Sequence, residues 1–158
     1  MIVEELIKQE KVGARQVNVN VHAKSETPTR LKIQSGKFKM IIDEPGNMGG
    51  TDLGPSPMQV LLMSLAGCIN VTGHEIARQK GLKLNSMKID IKGSMNPCNF
   101  MGCSFDERAG FQQINVSIKA DFDDASKEEI DSWLLETEAR CPVTDNIKEG
   151  THLSVNMK

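Results

Sequence analysis

The sequence predicts a mixed α and β fold, a single domain spanning residues 1–158, built around one long buried helix. Several stretches alternate between apolar and polar residues, which is typical of half-buried strands. One segment, from Met58 to about Lys80, is instead apolar on nearly every side in its first half, as expected of a helix covered all round. The predicted order of elements is β-β-β-α-β-β-α-β.

The first part of the chain is predicted to form three strands and a long loop, after a charged start over residues 1–14 that we expect to be frayed or briefly helical. Residues 17–22, 30–33 and 37–42 have strand patterns, and the last two are joined by a turn at Ser35–Gly36. The loop at residues 43–56 is rich in Gly and Pro. A loop of this length inside a compact domain is often functional.

The central helix has clear start and stop signals. Ser56 can cap its N-terminus, Pro57 suits the first helical position, and Gly81 supplies a stop. Because the strands of one chain can cover only one face of such an apolar helix, we expect a second copy of the chain to cover the other face.

The second half of the chain is predicted to add a strand pair, a helix and a closing strand. Residues 84–93 and 112–122 alternate as strands do, and residues 151–157 form a further short strand. Ser126 and Glu129 have the spacing of a capping box, which predicts a helix that ends near Cys141.

Composition and charge exclude several function classes. The net charge is -2, and no Lys/Arg cluster predicts a nucleic-acid partner. Glu residues interrupt the first ten positions, which argues against a signal peptide. The apolar stretch from Val60 to Ile69 is too short to span a bilayer. We therefore expect a soluble cytoplasmic protein without a membrane partner.

The four cysteines, at positions 68, 98, 103 and 141, are the main candidates for chemistry. In a reducing compartment, cysteines are usually buried, metal-binding or reactive. Cys68 lies in the middle of the apolar helix, where it is either a small core residue or a reactive thiol. A short helix starting at Pro142 would place Cys141 at a helix N-terminus, where the dipole favours a thiolate. A buried structural role for Cys141 is an equally open alternative.

Cys98 and Cys103 have a spacing that just fits a zinc knuckle. Structural zinc sites take four ligands, however, and no second Cys/His pair lies nearby in the sequence. We therefore predict no metal site and no cofactor, and interpret this pair as loop cysteines that can oxidise. The sequence has no phosphate-binding loop and no nucleophile elbow.

Three stretches resemble the osmotically inducible protein C and organic hydroperoxide resistance (OsmC/Ohr) family. They are DEPGNMGGTDLGPSPMQVLLMSLAGC at 43–68, RAGFQQINVSIKADF at 108–122 and EARCPVTDNIKEGTHLSVNMK at 138–158. The resemblance implies an α+β, OsmC-like fold with antiparallel sheets around a long buried central helix. It also implies an intertwined homodimer with active sites at the dimer interface.

The resemblance further implies a thiol-dependent peroxidase. Cys68 would be the peroxidatic cysteine that reduces organic hydroperoxides, and Cys141 would resolve its sulfenic acid as a disulfide. A dithiol reductant, in some relatives a lipoyl group, would then reduce the disulfide. The apolar residues around Cys68 would favour a hydroperoxide with an apolar tail.

The chain departs from the family at the groups that activate the thiol. Peroxidases of this family orient an Arg with a Glu, and here Met58 and Gln59 occupy the two positions where that Glu occurs. Arg30 is the best candidate for the Arg, with Arg15 second, and Glu44 is a candidate substitute for the carboxylate. The alternative hypothesis is a non-catalytic binding or redox-sensing protein with a hydrophobic interface pocket.

Overall fold

The computed structural model describes residues 16–157, so Arg15 and the predicted helical start lie outside the described residues. The chain divides into two compact units, one ending at Pro57 and the other beginning at Met58. Each unit is described by itself, and the expectation of a single domain over residues 1–158 stays a prediction.

The first unit is a three-stranded antiparallel sheet in the order β1-β2-β3. Its strands are β1 (His22–Ser25), β2 (Leu31–Ser35) and β3 (Phe38–Ile42). The turn between β2 and β3 contains Gly36 at a φ of 57°, a left-handed conformation that glycine adopts without a steric penalty. Two of the three predicted strands are therefore confirmed with small shifts of their ends.

The strand predicted at residues 17–22 is largely wrong. Only His22 joins the sheet, and residues 17–21 have no ladder partner among the described residues. Val17 and Val19 are 82% and 80% exposed. An alternating pattern specifies which side chains share a face, but a strand also needs a neighbouring strand to bond, and residues 16–157 provide none there.

A buried carboxylate organises the loop that follows β3. Asp43 is fully buried, and its two oxygens accept hydrogen bonds from Thr29, Thr51 and the backbone N–H groups of Glu44 and Leu53. These bonds, led by the Thr51 hydroxyl, lower the pKa of Asp43 to about 2 against the opposing effect of burial. The loop is therefore fixed by an ionised side chain at its first residue.

The long helix α1 (Pro57–Gln79) belongs to the second unit except for its first residue. The same unit contains the hairpin of β4 (Lys83–Ser94) and β5 (Gln113–Asp123). A short helix, α2 (Cys98–Met101), lies in the connection between the two strands. Two helices follow, α3 (Lys127–Arg140) and α4 (Pro142–Glu149). The predicted capping box is confirmed, because Ser126 and Glu129 bond each other's backbone N–H groups.

Two apolar clusters form the core of this unit. The first contains Leu65, Ile69 and Cys141, and the second contains Ile76, Ala77 and Trp133. The indole Nε1 of Trp133 donates a 2.7 Å hydrogen bond to the carbonyl of Gly73, which ties α3 to α1. Both clusters contain residues from the same face of α1, so this helix is the central element of the unit's core.

The opposite face of α1 is uncovered within this unit. Met63 and Val71 are 56% and 68% exposed, whereas Leu65 and Ile69 are buried. Among the described residues, α1 is the one helix whose length and composition would suit a membrane span. Its packing into both apolar clusters identifies it as a core helix of this unit.

The strand predicted at residues 151–157 is wrong. These residues have no regular structure, and Leu153, Val155 and Met157 are at least four-fifths exposed. As for residues 17–21, the alternating pattern is present, but no strand edge in the described part of the chain bonds the segment.

Candidate active site

The fold brings together two cysteines that lie far apart in the sequence. Cys141 is fully buried in the cluster with Leu65 and Ile69, and the half-buried Cys68 packs against that cluster. Isoleucines from β4 and β5 surround the same cluster, at positions 89, 91, 114 and 118. The two cysteines are free thiols in mostly apolar surroundings.

Cys141 occupies a junction between two helices. It is the residue that ends α3 and also the residue that precedes Pro142 at the start of α4. Its carbonyl accepts a 3.0 Å hydrogen bond from the N–H of Asp145 in the first turn of α4. The sulfur therefore lies at the positive end of an eight-residue helix, as the sequence suggested.

The surroundings of Cys141 favour its thiolate. Burial is the largest single influence and raises its pKa, but the hydroxyl and backbone N–H of Thr144 and the thiol of Cys68 act together in the opposite direction. The net result is a Cys141 pKa below its ordinary value.

Cys68 has the opposite tendency. Burial is the main cause that raises the pKa of the Cys68 thiol, and the neighbouring Cys141 raises it further. The backbone N–H of Val143 and the hydroxyl of Thr72 lower it only in part. Of the two sulfurs, Cys141 is therefore the more readily ionised and Cys68 the less readily ionised.

An apolar cavity of about 400 Å³ borders the cluster that contains Cys141. Its lining includes Leu65 and Ile69 from the cysteine cluster and Thr144, which interacts with the Cys141 sulfur. A 3.0 Å ion pair between Glu138 and Lys148 supplies charge at the lining. The cavity can hold a small molecule with an apolar body next to a polar edge.

The other predicted site residues lie in the first unit or in the first turn of α1. Arg30 lies in the first unit, where its guanidinium bonds Glu26 at 3.1 Å and Thr51 at 3.0 Å. The N–H of Glu44 donates to Asp43, also within the first unit. Met58 is half-buried and Gln59 is exposed in the first turn of α1. Roles for these residues in catalysis or binding stay predictions.

Arg140 precedes Cys141 in the sequence, but its charge is paired elsewhere. Its guanidinium bonds Glu136 at 2.6 Å and the side-chain oxygen of Gln79 at 2.8 Å, on the exposed side of α3 and α1. The influences that lower the Cys141 pKa come instead from Thr144, Cys68 and the backbone of Val143.

Sequence reasoning missed two residues. Thr144 follows Cys141 by three positions, which is the spacing at which a residue in the first helical turn meets the residue that precedes the helix. Asp43 is the first residue of the Gly-rich loop. An Asp followed by several turn residues often bonds their backbone N–H groups, and this pattern could have indicated its role.

The second pair of cysteines forms a disulfide. Cys98 and Cys103 are joined in the β4–β5 connection, with Cα atoms 4.9 Å apart. The N–H of Cys103 also donates to the carbonyl of Cys98 at 2.9 Å, so the backbone itself holds the two residues close. Sulfurs bonded to each other cannot ligate zinc, and no cluster of three or more potential ligands occurs among residues 16–157.

Comparison with known proteins identifies one family by sequence and several proteins of the same fold by structure. A family model described as OsmC-like protein matches residues 49–156. An OsmC-like protein from Mycoplasma pneumoniae has 21% sequence identity and a TM-score of 0.73, covering 85% of this chain and 89% of that one. No curated protein sequence matches the chain.

Two further solved structures share the fold. An organic hydroperoxide resistance protein from Elizabethkingia anophelis, with bound thiocyanate, has 14% identity and a TM-score of 0.64, covering 85% of this chain and 91% of that one. The organic hydroperoxide resistance protein OhrB of Bacillus subtilis has 17% identity and a TM-score of 0.55, covering 84% and 91%. At these identities the likeness concerns the fold alone.

Proposed function

The chain belongs to the OsmC-like protein family, and from that premise we propose that it is a thiol-dependent peroxidase that reduces organic hydroperoxides through Cys68 and Cys141. The observation that carries the proposal is the meeting of these two cysteines in one buried cluster beside an apolar cavity. The family supports a redox role related to peroxides, and the paired thiols supply a chemical means for it.

The proposed reaction uses both sulfurs. The Cys68 thiolate attacks one peroxide oxygen, the O–O bond breaks, and the second oxygen leaves as an alcohol. Cys68 becomes a sulfenic acid, which Cys141 attacks to form a disulfide and release water. A dithiol, with a lipoyl group as the candidate, reduces the disulfide and is itself oxidised. Cys68 is the sulfur assigned to the first step because it is the more exposed of the two.

The cavity supports an organic rather than an inorganic peroxide as substrate. Its walls are mostly isoleucine, leucine and valine side chains from α1, β5, α3 and α4. Apolar groups gain about 25 cal/mol for each Å² removed from water, so an alkyl or aryl hydroperoxide would bind there better than hydrogen peroxide. Two structural neighbours are named organic hydroperoxide resistance proteins, in keeping with this substrate class.

A cytoplasmic homodimer is part of the proposal. The exposed face of α1 presents Met63 and Val71, and residues 17–21 and 151–157 keep alternating apolar side chains without a ladder partner in the described chain. A second copy would cover the helix face and give the alternating segments strand partners. Sedimentation of the purified protein at twice the mass of one chain, 17.4 kDa, is the expected result.

The peroxidase proposal is tested by following the thiols. Reduced Cys98→Ser/Cys103→Ser protein, which keeps only Cys68 and Cys141, is mixed with one equivalent of cumene hydroperoxide. Loss of both free thiols and a Cys68–Cys141 disulfide in the mass spectrum are expected, together with one equivalent of cumyl alcohol. The same protein with Cys68→Ser is the control. Alcohol formation at equal rates in both proteins would exclude the mechanism.

A second candidate function is a binding protein without turnover. Met58 and Gln59, at the positions where peroxidases of the family place a Glu, favour it, and the cavity supplies the binding site. Native mass spectrometry of the purified protein would then reveal a retained apolar ligand, and the thiols would survive cumene hydroperoxide.

A further inference from the structure

The disulfide between Cys98 and Cys103 is a second sulfur site in this chain. It lies in the connection between β4 and β5, whereas Cys141 and the neighbouring Cys68 belong to an apolar cluster of the core. The proposed peroxidase reaction does not use it. Its local geometry and its access to solvent indicate what chemistry it can support.

The backbone holds the two loop cysteines close without the S–S bond. The Cys98 carbonyl accepts hydrogen bonds from the N–H groups of Cys103 at 2.9 Å and Ser104 at 3.4 Å. The Cys98 N–H donates to the side-chain oxygen of Asn96 at 3.0 Å. The two Cα atoms are 4.9 Å apart, which is within the range that a disulfide requires. Because none of these hydrogen bonds involves a sulfur, the reduced pair would stay within reach of closure.

Side chains at the base of the loop fix it independently of the sulfurs. The Gln112 side chain accepts a 2.8 Å hydrogen bond from the Asn96 N–H and donates a 3.0 Å bond to the Arg108 carbonyl. The Asn99 side chain donates a 2.8 Å bond to the Glu107 carbonyl. The disulfide spans only five positions, and a short loop is stabilised less by a cross-link than a long one. Reduction should therefore leave both the loop and the hairpin folded.

The disulfide is more accessible from one of its two cysteines. Cys103 is exposed, whereas Cys98 is half-buried. A Cβ added at Gly102 would meet none of the described residues within 4 Å apart from its chain neighbours, so the space beside Cys103 is open. Exchange depends on which sulfur an incoming thiolate can reach. Cys103 is therefore the sulfur to be attacked, and Cys98 is the one that leaves.

We infer that the Cys98–Cys103 loop is a thiol–disulfide exchange site for small dithiols, an activity separate from peroxide reduction. The inference does not rest on the proposed function. A reagent with one thiol would form a mixed disulfide with Cys103, which Cys98 would displace from its high effective concentration. A second thiol on the same reagent can instead attack the mixed disulfide and complete the transfer.

Atoms and electrons balance between the loop and the reagent. One thiolate of the dithiol attacks the Cys103 sulfur, the S–S bond breaks, and Cys98 leaves as a thiolate that takes a proton. The second thiol attacks the reagent sulfur bound to Cys103, which forms a cyclic disulfide and releases Cys103. Two protons pass through solvent from the reagent to the two cysteines, and two electrons pass to the loop. An oxidised disulfide reagent closes the loop by the reverse steps.

The test uses Cys68→Ser/Cys141→Ser protein, in which the loop pair is the only source of thiols. The probe is dithiothreitol at neutral pH, and the loop is read by acid quench, alkylation and mass spectrometry. We expect reduction within minutes in native buffer, at a rate close to that in urea, with an unchanged circular dichroism spectrum. Reduced glutathione at the same thiol concentration should reduce much less of the loop in that time. After removal of dithiothreitol, oxidised glutathione should close the loop again.

The hydrogen bonds at the loop base provide a second measurement. In mixtures of reduced and oxidised glutathione, Gln112→Ala should lower the ratio of closed to open loop by about 2- to 10-fold, because two hydrogen bonds that order the loop are lost. Gln113→Ala is the matched control, since that side chain bonds Asn115 within β5 at 3.3 Å and should leave the ratio unchanged. An unchanged ratio in Gln112→Ala would show that the loop is not ordered in advance and would remove the basis of the inference.

The identity of the attacked sulfur is tested with single-thiol proteins. Cys98→Ser or Cys103→Ser is added to the double variant, and the remaining thiol is mixed with oxidised glutathione. The thiol of Cys103 should form the mixed disulfide faster because it is the more exposed. Faster reaction at Cys98 would contradict the assigned order of attack.

Two results would overturn the inference as a whole. They are reduction in urea but not in native buffer, and failure of the reduced, folded loop to close, since either would identify a structural cross-link protected by the fold. If Cys68→Ser/Cys141→Ser does not fold, the unmodified chain is used and the loop is read from the peptide that contains Cys98 and Cys103. The peroxidase proposal is judged separately, by alcohol formation from a hydroperoxide.

Discussion

The two pairs of cysteines in this chain are held together by different means. Cys98 and Cys103 lie five positions apart in a loop, and local backbone hydrogen bonds around α2 keep them adjacent. Cys68 and Cys141 come from α1 and from the α3–α4 junction, and they meet only because the core assembles. The proximity of Cys98 and Cys103 is a property of a short peptide segment, whereas that of Cys68 and Cys141 is a property of the folded protein. The chemistry of the second pair should therefore depend on the core.

The largest effect expected from this contrast is on peroxide reduction. Cys68→Ser should abolish multiple-turnover reduction of cumene hydroperoxide with dihydrolipoamide, because it removes the attacking sulfur. Cys98→Ser/Cys103→Ser should retain most of the activity, since the loop pair lies outside the cysteine cluster. Steady-state alcohol formation measures both. Equal losses in the two variants would mean that the loop pair takes part in turnover and would break the contrast.

Oxidation should stabilise the protein differently at the two pairs. A cross-link stabilises in proportion to the logarithm of the loop it closes, so the Cys68–Cys141 bond should add about 4 kcal/mol and the Cys98–Cys103 bond about 2 kcal/mol. Urea unfolding of single-pair variants, each oxidised and reduced, gives the two differences. A larger gain from the short loop would contradict this explanation.

Crowding the contact between α1 and α3 should slow disulfide formation by Cys68 and Cys141 and leave the Cys98–Cys103 bond unaffected. A Cβ at Gly73 would lie 3.0 Å from the Trp133 ring and 3.3 Å from the Met87 methyl group. Gly73→Ala should therefore cost about 1–3 kcal/mol of stability through overpacking. It should also slow formation of the Cys68–Cys141 disulfide, measured by mass spectrometry, while the Cys98–Cys103 bond forms as before. Ala77→Gly, on the same helix face, is a control that loosens rather than crowds the contact.

The smallest expected effect is spectroscopic. In the reduced Cys98→Ser/Cys103→Ser protein, absorbance near 240 nm should report one thiolate that persists below the ordinary cysteine range, because the Cys141 pKa is lowered. It disappears only as the pH falls through that lowered pKa. The second thiolate should appear above the ordinary range, because the Cys68 pKa is raised. Cys141→Ser should remove the first transition. Two ordinary, coincident titrations would show that the pair is not coupled.

Local signals in the sequence predicted the local features well. The capping box at Ser126, the stop at Gly81 and the start of a helix at Pro142 all depend on a few neighbouring residues, and the structure contains each of them. The sites of Cys68 and Cys141 were identified through the family resemblance. Their contact itself depends on how α1 packs against two later helices, which no local pattern specifies.

The failures of prediction have a common physical cause. Residues 17–21 and 151–157 carry strand patterns, but a pattern cannot supply the neighbouring strand that would complete the hydrogen bonds. The structural role of Asp43 was missed for a similar reason. A buried carboxylate is stable only with hydrogen-bond donors, and those from Thr29 and Thr51 are brought together only in the folded loop.

The position of Cys141 between α3 and α4 has a practical consequence. A disulfide from this residue to Cys68 would link α1 to the junction of α3 and α4. Oxidation would therefore restrict the relative movement of these three helices as well as change the two sulfurs. A fluorescent group on the exposed Glu149, at the far end of α4, would then read the oxidation state from outside the core. The mobility of α4 would in this way report how much of the protein a peroxide has oxidised.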